Sequence, residues 1–173
     1  SRIILHLLLF YLPIQSSVCQ NLLSNYSFKQ PKSFTIDKKL GEISDLTTTE
    51  RETLLACIDE VGHIFEIDPS NGKILKRFFV GKWTVEADFE GITIADGIIY
   101  LISSEGILYS FKEGENDAVV DYEVKKLPFS SKFDIEGLCF DENSNSILIA
   151  CKEYPGKNYK GFRAVYSYSL KEK

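Results

Sequence analysis

The sequence contains no methionine, one tryptophan and two histidines among its 173 residues. It has no basic excess: 20 Lys and Arg stand against 25 Asp and Glu, a formal net charge of −5. Without a basic stripe to neutralise phosphates, nucleic acid is excluded as a partner class. Four cysteines, unevenly spaced, are too few for a disulfide framework. His6 lies in an apolar N-terminal run, which leaves His63 as the body's one histidine. A Ser-His-Asp triad then has a single candidate base and no G-x-S-x-G elbow to serve. The apolar run, Ile3 to Ile14, is about a dozen residues, too short to cross a bilayer as a helix. Met is missing at position 1 as well, so the natural start is expected upstream.

What is present is a repeat. Asp88-Phe89-Glu90-Gly91-Ile92-Thr93-Ile94 returns as Asp134-Ile135-Glu136-Gly137-Leu138-Cys139-Phe140, and a fainter copy precedes both, Gly41-Glu42-Ile43-Ser44-Asp45-Leu46. Matching the glutamates gives spacings of 90−42 = 48 and 136−90 = 46 residues. After each glutamate come a second apolar segment ending in an acid, a turn, and a third with alternating aromatics. Two units add a fourth, Lys73 to Val80 and Ala118 to Lys126. Asn71-Gly72 supplies a hairpin turn with positive φ. Short antiparallel strands in units of this length describe β-propeller blades, here about 41–81, 88–127 and 134–173. The expected class is all-β, with about three four-stranded blades of a five- or six-bladed ring. Three blades cannot close a ring, so the chain is expected to be a fragment, or to meet a second chain. Ser33-Phe34-Thr35-Ile36-Asp37 alternates and is expected as a lone strand. Trp83, with Phe78, Phe79 and Phe89, is expected between blades. Cys57, Cys151 and Cys139 are expected as small core residues, and His63, after Gly62, as a solvated turn residue.

The acids form two sets, Glu42, Glu90, Glu136 at first-strand starts and Asp59, Glu105, Glu153 at second-strand ends. Antiparallel neighbours return to the same end, so both sets converge on one mouth of the channel that first strands line. Converging carboxylates stay ionised only where a cation answers them. Oxygen ligands without His or Cys suit Ca²⁺ rather than Zn²⁺. Glu90 and Glu136, with Glu42 or Glu153 close by, are the candidate ligands. The plain alternative is that these acids end strands and accept from loop amides. Asp88 and Asp134 are read as loop-capping residues, and Lys152 as able to answer the negative charge.

The N-terminus is read separately. Arg2, the apolar run and the small polar Ser16 and Ser17 have the order of a signal peptide over 1–19. Cys19 in Ser16-Ser17-Val18-Cys19 resembles the acylated cysteine of bacterial lipoproteins, which implies lipidation there and a membrane attachment. Residues 20–38 then read as a polar tether and the lone strand, ahead of a propeller domain over 39–173. A soluble exported protein is the alternative.

Over roughly Lys39 to Leu170 the chain resembles the SdiA-regulated family of bacterial exported β-propellers. The matching stretches are Glu42-Ile43-Ser44, Asp88 to Ile92, Asp134 to Phe140, Ile149-Ala150-Cys151-Lys152 and the loop after Pro155-Gly156-Lys157. The resemblance implies a propeller of five or six blades with bound Ca²⁺, facing the periplasm at a membrane, and no established reaction. Two functions follow: an anchored, Ca²⁺-binding module for a protein or glycan partner, or a metal-dependent phytase-like or lactonase-like hydrolase.

Overall fold

The computed structural model describes residues 33–171. The signal expected over 1–19, the lipidation expected at Cys19 and tether residues 20–32 lie outside the described residues. Helix is confined, among those described, to one 3₁₀ turn, Lys38–Leu40, capped by the Asp37 carboxylate on the Lys39 amide and closed by the buried Leu40. Everything regular after it is strand, as the period-two patterning demands.

The strands are β1 (Ile43–Thr48), β2 (Leu54–Ile58), β3 (His63–Ile67), β4 (Ile74–Val80), β5 (Phe89–Ala95), β6 (Ile98–Ser103), β7 (Ile107–Phe111), β8 (Val119–Val120), β9 (Tyr122–Lys126), β10 (Ile135–Asp141), β11 (Ser146–Cys151) and β12 (Ala164–Ser169). They form three sheets, none closed on itself, in the orders β1-β2-β3-β4-β8, β5-β6-β7-β9 and β10-β11-β12. The β3–β4 turn is built as its residues require. Asp68 accepts from the Ser70 amide at 2.8 Å, and Gly72 takes φ +74°, a conformation that costs a glycine little.

One irregularity sets the true repeat. The pairing of β1 with β2 shifts between Ile43 and Asp45, that of β5 with β6 between Phe89 and Gly91, and that of β10 with β11 between Ile135 and Gly137. These equivalent positions are spaced by 89−43 = 46 and 135−89 = 46 residues. Glu42 therefore corresponds to Asp88 and Asp134, and Ser44 to Glu90 and Glu136. The expected equivalence of Glu42 with Glu90 is two residues out of register. Backbone bonds agree: the carbonyls of Glu42, Asp88 and Asp134 accept from the amides of Asp59, Ser104 and Lys152 at 3.1, 2.8 and 2.8 Å. Asp59 thus corresponds to Ser104 and Lys152, not to Glu105 and Glu153.

First strands hold the sheets together. The Ile92 amide donates to Asp45 Oδ2 at 2.9 Å and the Phe140 amide to Thr93 Oγ1 at 3.1 Å, joining β5 to β1 and β10 to β5. Apolar faces fill the space behind. Leu55, Cys57, Ile64 and Phe78 of the first sheet meet Phe89, Ile92, Leu101 and Phe111 of the second, whose Ile102 and Leu108 meet Ile135, Leu138, Ile147 and Ile149 of the third. Each fully buried side chain of this size contributes about 1.5–3 kcal/mol.

Five expectations are corrected. Residues 33–37 join no ladder; Phe34 and Ile36 instead lie against Gly72 in the β3–β4 turn. The strand expected over Ala118 to Lys126 breaks at Asp121. Its first part runs parallel to β4, with the Phe79 amide on the Ala118 carbonyl, before the chain crosses to pair with β7. Trp83 is 89% exposed rather than packed, because the turn that carries it points outward under its neighbour Lys82. Cys139 is exposed while Cys57 and Cys151 are buried, since it projects from the face of β10 opposite to Leu138. His63 is half-buried with its ring 4.9 Å from that of Phe79, and burial holds its pKa below the ordinary value.

Candidate metal centre

The end of β2 and the start of β5 meet edge to edge, since the Phe89 amide donates to the Asp59 carbonyl at 2.8 Å. Side chains on either side of that bond are brought together by backbone geometry. Carboxylate oxygens of Asp59, Asp88 and Glu90 all lie within 4.8 Å of one another. Asp88 is exposed and the other two are half-buried.

These groups titrate against one another. Burial first, then the charges of Asp88, Glu136 and Asp59, push Glu90 up to about 7. Asp59 is raised by its hydrogen bond to Asp88, by burial and by the charges of Asp88, Glu60 and Glu42. Asp88 moves the other way, because the Ser104 hydroxyl and the two neighbouring acids hydrogen-bond to its carboxylate. In the absence of a cation, then, crowding holds Asp59 and Glu90 above the ordinary carboxylate range and Asp88 below it.

The third sheet holds the same motif with a different answer. Asp134 and Glu136 correspond to Asp88 and Glu90, and Lys152 to Ser104. The Lys152 ammonium lies 2.6 Å from Glu136 Oε1 and 3.3 Å from Asp134 Oδ2. The buried Glu66 is likewise answered, by Arg51 at 3.0 Å and Lys76 at 3.6 Å, and Glu113 by the same two cations. Among the described residues no such side-chain cation reaches Asp59, Asp88 or Glu90.

Of the four acids expected as ligands, Glu90 is in this cluster. Glu136 is close enough for its charge to raise Glu90, yet it is paired with Lys152. Glu42 is exposed and gives its carbonyl to Asp59, and Glu153 is exposed with its amide on the Phe133 carbonyl at 3.2 Å. Asp59 and Asp88 take the places expected for Glu42 and Glu136. Their signal was the spacing 88−42 = 46, hidden because Glu42 shares its residue type with Glu90 rather than with Asp88. Asp45, at the position of the two motif glycines, spends its carboxylate on the Ile92 amide.

The donor set fits a hard divalent cation. Three carboxylates supply up to six oxygens, no His or Cys joins them among the described residues to favour a softer ion, and Asp88 is exposed to water. Elsewhere, a groove of about 760 Å³ runs between the second and third sheets, lined by Tyr100, Tyr122, Val124, Lys125, Tyr168 and Leu170.

No family model matches the chain, and no curated protein does. Among solved structures, the crystal structure of the computationally designed Ika4 protein is similar to it at 10% identity and a TM-score of 0.41, over 81% of this chain and 99% of that one. A likeness of that size carries no statement about function.

Proposed function

We propose that this chain is a Ca²⁺-binding β-propeller segment attached to a cell envelope and acting as a binding module for a protein or glycan. Three sheets that repeat every 46 residues and touch through their first strands support the propeller reading. One observation carries the metal. The acid pair at the start of β10 is answered by Lys152, and its counterpart at the start of β5 faces a third carboxylate with Ser104 where the lysine would be. Asp59, Asp88 and Glu90 would hold Ca²⁺, and the ion would do structurally what the ammonium does in the third sheet. It would fix the end of the first sheet to the start of the second.

Ser104→Lys tests this directly, because it places an ammonium where the third sheet has one. The variant is expected to melt above wild type in chelator and to lose the rise in melting temperature that Ca²⁺ gives wild type. That rise follows the logarithm of free Ca²⁺ above the dissociation constant. A variant that responds to Ca²⁺ as wild type does would remove the cluster from consideration. The anchor rests on Cys19, and Cys19→Ala is expected to move the protein from the membrane to the soluble exported fraction. Identical partitioning of the two would leave export without lipidation.

A further inference from the structure

The connection between β11 and β12 is the longest between consecutive strands, and its composition departs from that of the rest of the chain. From Tyr154 to Leu170 there is no acid, whereas Lys157, Lys160 and Arg163 fall within seven residues. The whole chain carries −5. None of the three cations forms an ion pair among the described residues, in contrast to Arg51, Lys76, Arg77 and Lys152. Lys132 lies alongside, since the Tyr154 amide donates to its carbonyl at 3.1 Å, and it too is exposed and makes no ion pair among these residues.

Aromatic rings alternate with the cations. Phe162 is 69% exposed, Tyr159 59% and Tyr154 38%. The base of the loop is nevertheless fixed. Tyr166 donates its hydroxyl to the Pro155 carbonyl at 2.8 Å, and Tyr154 packs edge-on against Phe133 with centroids 5.2 Å apart. Above that base two successive turns, Tyr159 amide to Gly156 carbonyl at 3.1 Å and Phe162 amide to Tyr159 carbonyl at 3.0 Å, set the tip. Folding therefore spends order on holding two large rings in water between cations. An exposed apolar patch rimmed by charge of one sign marks an interaction surface.

We infer that this loop docks on an anionic lipid surface, with Tyr159 and Phe162 entering the headgroup region and Lys132, Lys157, Lys160 and Arg163 against lipid phosphates. Amphipathic rings settle at the membrane–water interface, and long basic side chains reach from there to phosphate oxygens. Each cation near such a surface strengthens binding by about fivefold, and a single lipid chain gives only reversible attachment unless a basic patch joins it. The loop thus supplies a second contact that the proposed anchor at Cys19 does not, and it depends neither on that anchor nor on the metal. Glu153, the nearest acid in sequence, stands at the foot of the loop, and Asp134 and Glu136 are already paired with Lys152.

The test is co-sedimentation of the full chain carrying Cys19→Ala, in chelator, with vesicles of phosphatidylcholine alone or with one-third phosphatidylglycerol. Binding is expected to the anionic vesicles and not to the neutral ones, and to weaken as salt is raised. Lys157→Glu/Lys160→Glu/Arg163→Glu should weaken it about tenfold or more. Tyr159→Ser/Phe162→Ser should weaken it with the salt dependence retained. Thermal unfolding should match wild type in both variants, because these side chains face solvent. The inference is overturned if the triple variant partitions as its parent does, if neutral vesicles bind equally, or if soluble polyglutamate is bound while anionic vesicles are not.

Discussion

Gly91→Ala is expected to destabilise the fold by about 1–3 kcal/mol, the usual cost of forcing atoms into a filled space. Gly137→Ala, the same change at the equivalent position 46 residues on, should stay within about 0.5 kcal/mol. The two glycines share a motif and differ in what stands opposite. A β-carbon on Gly91 would lie 2.7 Å from the Leu138 β-carbon and 2.8 Å from the Leu138 amide nitrogen. Both belong to β10, so the whole strand would have to move. A β-carbon on Gly137 meets nothing closer than Ala150 at 3.7 Å, ordinary contact. There the loss of backbone freedom in the unfolded chain favours alanine slightly. Urea midpoints of the two variants measure the difference. Equal shifts would mean that β5 and β10 are not in such close contact. Because Glu90 is carried on β5, Gly91→Ala should weaken Ca²⁺ binding as well.

Glu90→Gln is expected to raise stability at pH 8 in chelator by a few degrees of melting temperature, and to leave it nearly unchanged at pH 5. Burial and the neighbouring acids push Glu90 up to about 7 in the folded state against an ordinary value of 4.5, so between these the native state holds a proton that the unfolded chain releases. The stability this gives is complete below about 4.5 and is lost as pH rises through about 7. Glutamine keeps the neutral shape at every pH. His63 acts in the opposite sense in part of the same window, because its pKa is lowered by burial and stability is gained as it deprotonates. The informative quantity is therefore the difference between variant and wild type at each pH, in which the histidine cancels. Melting curves from pH 5 to pH 8 that run parallel would show that Glu90 is not held protonated.

Much of the fold was legible in the residues. The short apolar run Ile98 to Ser103 and the alternation at Ala164 to Ser169 both became strands, and the turn at Asn71-Gly72 takes its positive φ at Gly72. Burial of Cys57 and Cys151 followed from their apolar neighbours. The register was harder. Glu42, Glu90 and Glu136 match by type, yet hydrogen bonds place Ser44 with the last two, because a strand's position is set by its bulge and partners rather than by the side chain it carries. That two-residue offset dispersed the predicted site. It put Glu42 in the set with Glu90 and hid Asp88 and Asp59, which the fold brings beside Glu90, while Lys152, read as able to answer the negative charge, lies on Asp134 and Glu136. Asp121, which ends β8 and sends the chain to another sheet, carried no local signal. Nor did Trp83, whose size argued for burial while its turn, Gly81 to Thr84, turns it outward.

The measurement that bears most directly on the account is calorimetric titration of Ca²⁺ into the full chain at pH 8, beside Asp88→Asn/Glu90→Gln. Wild type is expected to bind one ion, with a matching gain in melting temperature, and the double variant to bind none while remaining folded and more stable in chelator. Binding of equal stoichiometry and affinity by both proteins, or no response to millimolar Ca²⁺ in wild type, would contradict it. Asp59, Asp88 and Glu90 would then be crowded carboxylates where two sheets meet, without an ion.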